Sequence, residues 1–126
     1  MFTYILIVAV AGIIAVSNGA TFYTGADMSA LPTYDCYGTC SPYKSNKTAA
    51  SEDALSILAK AGINAIRLRI WNDPDKSGEY CNLDGVLKMA KRVYENGLKL
   101  HLDFHYSDTW ADPHHQIKPQ AWANLT

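Results

Sequence analysis

A helix that ends at a glycine and leads into a strand occurs twice in this chain, and this repeat constrains the fold more than any other feature. We predict that the first helix begins near Thr48 to Ser51 and that Gly62 ends it. Residues 66–71 then alternate apolar and basic side chains, which indicates a strand. The apolar residues that recur at helical spacing are Ala54, Leu55, Leu58 and Ala61.

The second unit repeats the first, and 35 positions separate Gly62 from Gly97, the glycine expected to end the second helix. We expect Asn82 to cap a helix that ends at Gly97, and residues 98–105 to form a strand of alternating apolar and polar side chains. A shorter strand is expected near residues 22–27. Because helices connect successive strands, the strands should be parallel, and we predict an α/β fold.

Polar side chains on the strands favour a barrel over an open sheet. Arg67 and Arg69 share one face of their strand, and Asp103 and His105 share one face of the next. Parallel strands covered on both faces are apolar throughout, whereas the mouth of a (β/α)8 barrel collects polar groups. We therefore predict the N-terminal part of such a barrel, with about three βα units.

The N-terminus has the features of an export signal. Residues 1–20 contain no Lys, Arg, Asp or Glu, and their apolar run is shorter than the roughly 20 residues that span a membrane. Small residues follow the run, as at a cleavage site. We interpret residues 1–20 as a signal peptide and residues 21–126 as a secreted, extracellular chain. An uncleaved membrane anchor is the alternative.

Secretion changes the meaning of the three cysteines, because an oxidising compartment allows disulfides. Cys36 and Cys40 are close enough to pair. Cys81 is then a buried thiol, half of an intermolecular bridge, or the partner of a cysteine elsewhere. Asn46 and Asn124 each begin an Asn-x-Thr tripeptide and are candidate N-glycosylation sites.

Charge and histidine spacing exclude two other classes of partner. The 11 basic and 12 acidic residues give a net charge of −1, so the chain lacks the positive field that binds nucleic acid. His101 and His105 lie on one strand about 13 Å apart, too far to share a metal ion. His114 and His115 follow in a loop. We expect neither a metal site nor a membrane contact after signal cleavage.

The loops that follow the two main strands carry aromatic and acidic side chains. Trp71 begins one loop, and Asp108 and Trp110 lie in the next. Aromatic rings pack against the C–H faces of sugars, while carboxylates bind the hydroxyl groups. The alternative is that both tryptophans only pack the loops onto the barrel rim.

Four segments of the chain together resemble glycoside hydrolase family 53, the arabinogalactan endo-β-1,4-galactanases. They read GADMS at 25–29, AGINAIRLRIWNDP at 61–74, LDFHYSDTWADP at 102–113 and KPQAWANL at 118–125. The resemblance implies a (β/α)8 barrel that hydrolyses internal β-1,4-galactosidic bonds of pectic galactan with retention of configuration. It implies no cofactor in this part of the family's domain, and it leaves the oligomeric state open.

The resemblance also implies roles for particular residues. Arg67 should approach the nucleophilic carboxylate, and Asp27, Asp103 and His105 should lie at the barrel mouth. Asp108 and Trp110 should form a sugar-binding wall, to which Trp71 contributes. We expect the acidic partners of Arg67 and Arg69 to come from strands that this chain lacks.

The catalytic residues of the family are two glutamates at the ends of the fourth and seventh strands. Glu52, Glu79 and Glu95 of this chain fall in the first helix, the second loop and the second helix. We therefore expect both catalytic glutamates to lie beyond Thr126 and this chain alone to be inactive. The alternative is a non-catalytic, secreted carbohydrate-binding remnant.

Overall fold

The structure, a computed structural model, describes residues 22–40, 43–44, 51–74 and 79–125. Three strands form one parallel sheet in the order β1-β2-β3, which confirms the predicted α/β fold. The predicted signal peptide and Asn46 lie outside the described residues. The elements are β1 (Gly25–Asp27), α1 (Pro32–Asp35), α2 (Ala54–Lys60), β2 (Ala65–Trp71), α3 (Leu83–Glu95) and β3 (Lys99–His105), with 3₁₀ turns at Cys36–Gly38, Glu79–Cys81 and Gln120–Trp122.

Strand β1 is shorter than predicted, because the side chain of Asn64 forms hydrogen bonds with the backbone of the residues that precede the strand. The backbone N–H of Thr24 donates to Asn64 Oδ1 at 2.9 Å, and Asn64 Nδ2 donates to the carbonyl oxygen of Phe22 at 2.8 Å. The ladder with β2 therefore begins at Gly25, opposite Ala65.

Helix α2 starts later than the sequence pattern predicted. Its N-cap is Asp53, whose carboxylate accepts the N–H of Leu55 at 2.6 Å. Ser51 forms an isolated antiparallel bridge with Lys44, and Thr48 lies outside the described residues. The predicted cap at positions 48–51 is wrong because Asp53 satisfies the first helical N–H groups instead.

The other predicted helix boundaries are confirmed. Asn82 accepts the N–H of Gly85 at 2.8 Å and caps α3. Gly62 and Gly97 have φ values of +97° and +69°. Both glycines follow their helices in the left-handed conformation that ends a helix without steric cost.

The hydrophobic core lies between one face of the sheet and helices α2 and α3. Alternation along β2 directs Ile66 and Leu68 into this core, at 0% and 1% exposure. The same pattern on β3 does not bury its apolar face, since Leu100, Leu102 and Phe104 are exposed. The buried cluster contains Leu31, Leu55, Ile66, Leu68, Val86, Met89, Val93 and Leu98.

Within the described part of the chain, no helix combines the length and apolarity needed to cross a membrane.

An ion triad, with two of its members buried, joins α3 to the segments that follow β1. Arg92 of α3 contacts Asp35 at 2.5 Å and Asp53 at 2.7 Å. Asp35 is completely buried. Burial acts to raise the pKa of Asp53, but hydrogen bonds from Arg92 and from the helix backbone outweigh it and hold that pKa below its ordinary value. Asp53 thus caps α2 and anchors it to α3 at once.

Replacement of Arg92 should destabilise the chain strongly. In Arg92→Met, Asp35 remains buried without its cation, and the expected loss of unfolding free energy is about 3–5 kcal/mol. Urea unfolding followed by circular dichroism measures this loss. The neighbouring Lys91 is exposed and lies 3.8 Å from Glu95, so the control Lys91→Ala should cost less than about 0.5 kcal/mol. Equal losses in the two variants would contradict a structural role for the triad.

Candidate active site

Four charged side chains lie together on the sheet face opposite the core. We call this set the charge cluster; it consists of Asp27, Arg67, Arg69 and Asp103. The register of the strands brings them together, because Asp27 is opposite Arg67 and Arg69 is opposite Asp103. Side chains two residues apart on a strand share a face, so both arginines of β2 point to the same side as the two carboxylates.

Arg67 is bound on both sides within this cluster. One Nη atom contacts Asp27 and the other contacts Asp103 at 2.5 Å. Arg69 is less tightly held, with Nη2 at 3.8 Å from Asp27 and Nε at 3.5 Å from Asp103. The expectation that both arginines need partners from strands outside this chain is therefore wrong, because the adjacent strands already supply two carboxylates.

Ser29 positions the cluster and was not among the predicted site residues. Its backbone N–H donates to Asp27 Oδ1 at 2.9 Å, and its hydroxyl oxygen accepts the N–H of Arg69 at 2.8 Å. Partial burial acts to raise the pKa of Asp27, but the bonds from Ser29 and the charge of Arg67 outweigh it and lower this pKa. An Asp followed two residues later by Ser is a turn signal that could have indicated this bond.

A second group, the aromatic cluster of Trp71, His105 and Trp110, lies at the ends of β2 and β3. Trp71 is opposite His105 in the sheet, and their rings stack with centroids 4.1 Å apart. Trp110 meets Trp71 edge-on at 5.1 Å. The guanidinium carbon of Arg69 lies 4.9 Å from the Trp110 ring centroid, which joins the two clusters by a cation–π contact.

The two tryptophans differ in what they can touch. Trp71 is 2% exposed, so it presents no face to a ligand. Its ring instead packs against the ring of His105. Trp110 is 52% exposed and presents a ring to solvent. His105 Nε2 lies 2.8 Å from the carbonyl oxygen of Thr109, a bond that fixes the loop carrying Trp110.

Asp108 holds loops together in this structure. Its Oδ1 accepts the N–H of Asp73 at 3.2 Å, and its Oδ2 accepts the N–H of Gln120 at 2.9 Å. Both carboxylate oxygens therefore bind backbone groups of other segments. Asp108 lies beside the aromatic cluster and supports the loop that bears Trp110.

The three cysteines have two different states. Cys36 and Cys40 form a disulfide with a Cα–Cα distance of 5.6 Å. Cys81 is a free thiol at 1% exposure. Burial raises the pKa of Cys81 to about 11, so this thiol stays protonated near neutral pH and is a poor nucleophile.

The remaining predicted positions lie apart from the two clusters. Asn124 is exposed near the end of the described residues. Asp112 accepts the backbone N–H groups of His114 and His115 at 2.7 and 3.0 Å in an exposed turn. Within residues 22–40, 43–44, 51–74 and 79–125, no three His, Cys, Asp or Glu side chains converge in a way that could hold a metal ion.

These features together define a class of protein. Parallel strands linked by helices, with charged and aromatic side chains at their C-terminal ends, are typical of the active-site face of a glycoside hydrolase barrel. Residues 23–126 match the family described as Glycosyl hydrolase family 53. The chain belongs to this family.

Two relatives in sequence support the assignment. A Niallia circulans protein from the bgaB 5′ region is 47% identical over 105 residues, which cover 83% of this chain and 27% of that protein. The arabinogalactan endo-β-1,4-galactanase A of Aspergillus niger is 44% identical over 107 residues, covering 85% of this chain and 29% of the enzyme. The chain thus spans less than a third of the length of these relatives.

Solved structures agree with the sequence comparison. The glycoside hydrolase family 53 catalytic domain of Ignisphaera aggregans superposes with a TM-score of 0.70 at 40% identity, over 83% of this chain and 30% of that one. A chain from a study of two fungal β-1,4-galactanases gives a TM-score of 0.69 at 39% identity, over 79% and 29% of the respective chains. The three-stranded parallel sheet is consistent with part of a barrel.

The lowered pKa of Asp27 predicts a specific acid dependence of stability. A carboxylate whose folded pKa lies below its ordinary 3.8 stabilises the fold above that value, and loses this effect as the pH falls through the folded pKa. Asp27→Asn should therefore be less stable than the parent at neutral pH, and the two unfolding free energies should converge as the pH falls through the folded pKa of Asp27.

Urea unfolding at a series of pH values measures this convergence. Asp73→Asn, which removes an exposed carboxylate from the loop after β2, is the control for general charge effects. A difference between the parent and Asp27→Asn that is the same at acidic and neutral pH would contradict the assignment.

Proposed function

We propose that residues 21–126 form the N-terminal part of the (β/α)8 barrel of a secreted, retaining endo-β-1,4-galactanase. The observation that carries this proposal is the position of Arg67 between Asp27 and Asp103, on a sheet face where Arg69 contacts the same two carboxylates and the exposed Trp110. Asp27 and His105 are the last residues of β1 and β3, Trp110 lies in the segment after β3, and Arg67 and Asp103 lie within their strands. In a barrel the C-terminal ends of the strands form the active-site mouth.

Each group has a proposed task with a physical reason. Arg67, whose guanidinium is fixed by two carboxylates, is placed to donate a hydrogen bond that keeps a nearby nucleophilic carboxylate ionised and oriented. Trp110 offers a flat apolar face to a galactose ring. His105, oriented by Trp71 and Thr109, lies next to that ring and binds a hydroxyl group. The substrate is galactan, as the names of the Aspergillus relatives indicate.

Both carboxylates of the charge cluster, Asp27 and Asp103, bind Arg67, so we assign bond cleavage to other carboxyl groups. Retention requires two carboxyl groups about 5–5.5 Å apart, one as nucleophile and one as acid/base. Glu52 pairs with Lys60 of α2, and Glu95 lies at the end of α3 beside Lys91. We therefore assign the catalytic pair to the part of the family's domain that this chain does not span, and propose that the 126-residue chain binds sugar without cleaving it.

Joining the chain to the remaining C-terminal part of the Aspergillus niger galactanase tests this proposal. The joined protein should release reducing ends from β-1,4-galactan and give the β-anomer first in a proton NMR time course, whereas the 126-residue chain should release none. In the joined protein, Arg67→Met should lower kcat/KM by about 100-fold or more, because the site loses its central charge.

The controls separate the site from the fold. Lys91→Ala, on the exposed side of α3, should leave kcat/KM of the joined protein unchanged. Trp110→Ala should raise KM more than it lowers kcat, since stacking binds the sugar before and during reaction. Galactan hydrolysis by the 126-residue chain alone, or full activity of Arg67→Met, would sink the proposal.

Export is a separate part of the proposal. It is supported by the uncharged apolar run of residues 1–20 and by the disulfide between Cys36 and Cys40, a bond that persists in oxidising compartments. A eukaryotic host that expresses the chain should release it into the medium, and N-terminal sequencing should begin at Ala20 or Thr21. Retention of the uncut chain in the membrane fraction would favour the membrane-anchor alternative.

A further inference from the structure

A cleft separate from the two clusters lies between the disulfide loop and the start of α3. Its volume is about 430 Å³, and its lining includes Thr33, Tyr37, Tyr80, Asn82 and Asp84, with Lys88 at its edge. Its walls come from the segments that follow β1 and β2. These segments leave the C-terminal ends of β1 and β2, so the cleft lies at that end of the sheet. We propose that it is a second binding site for the galactan chain, an inference that rests on the proposed function.

Tyr37 is held in an unusual conformation toward this cleft. Its φ of +57° lies in the left-handed region, as does the φ of +50° at Cys36. Bulky residues rarely adopt this region, so the surrounding structure must impose it. The disulfide between Cys36 and Cys40 and the bond from Gly38 N–H to Asp35 Oδ1 at 3.3 Å constrain the loop. Tyr37 is thus fixed before any ligand arrives.

Gly85 allows both tyrosine residues to approach α3. A Cβ atom at this position would lie 2.5 Å from the carbonyl oxygen of Tyr80 and 2.8 Å from the hydroxyl of Tyr37. No side chain fits in that space, since real Cβ contacts are not so short. The first turn of α3 therefore packs directly on the two residues that bring rings to the cleft.

The chemistry of the cleft suits a neutral sugar. Lys88 pairs with Asp84 at 2.6 Å, and its Nζ lies 5.4 Å from the Tyr37 ring centroid. Because the two charges cancel, an anionic ligand such as a phosphate gains little here. Phenol rings can pack on the C–H faces of a pyranose, while carboxylate, ammonium and amide groups bind its hydroxyls.

An NMR titration of the 126-residue chain with β-1,4-galactotetraose tests the proposal, with cellotetraose as the control sugar. The amides of Tyr37, Tyr80 and Asn82 should shift with galactotetraose. Tyr80→Ala should weaken this binding about tenfold, through loss of a stacking contact. If Tyr80→Ala does not fold, Lys88→Ala serves as a second variant, because Lys88 is exposed on α3. Lys88→Ala should weaken galactotetraose binding about threefold.

Two further variants locate the binding. Tyr94→Ala removes an 83% exposed tyrosine from the same helix outside the cleft lining and should bind like the parent. Trp110→Ala should leave the shifts in the cleft intact. Shifts confined to His105 and Trp110 would overturn the second site and leave the proposed function standing. Absence of any shift at the cleft, or equal affinity for cellotetraose, would also overturn it.

Discussion

The parallel register of β2 with its two neighbours determines where every charged group of the site lies. Asp27 faces Arg67 and Asp103 faces Arg69 across the sheet, so each arginine has a carboxylate on an adjacent strand. A slip of one residue would turn both arginines toward the core, where Ile66 and Leu68 now lie. Unpaired guanidinium groups would then be buried at a large cost. The apolar pattern that forms the core and the charge pattern that forms the site therefore select the same register.

The ion triad of Arg92, Asp35 and Asp53 has a comparable role on the helix side. Asp53 caps α2, and Asp35 precedes the disulfide loop and accepts the N–H of Gly38. A Cβ at Gly38 would lie only 3.2 Å from Arg92 Nε, so this loop packs directly on the guanidinium. The position of Tyr37 thus depends on Arg92 as well as on the disulfide. Sheet face and helix face each have one arginine between two aspartates, but only on the helix side are the arginine and one aspartate, Arg92 and Asp35, buried.

Local signals allowed part of this structure to be predicted from sequence. Strands β2 and β3, the Asn82 cap and the glycines that end both helices follow from periodicity and capping within a few residues. The cap at Asp53 is a local bond to the N–H of Leu55, but the pairing of Asp53 with Arg92 spans 39 positions. The pairing of Arg67 with Asp27 and Asp103 spans 40 and 36 positions. Such contacts depend on register and packing, which residue patterns do not determine by themselves.

The two tryptophans illustrate why residue type alone does not define a sugar site. Trp71 is buried beneath His105, whereas Trp110 is exposed on a loop. That loop is fixed by His105 at Thr109 and by Asp108, which binds backbone groups on both sides of it. Because these contacts already order the loop, a ligand that stacks on Trp110 need not supply the entropy of ordering it. The buried tryptophan, the histidine and the aspartate therefore hold one exposed ring in place, and in the proposed function their task is to position that ring for the sugar.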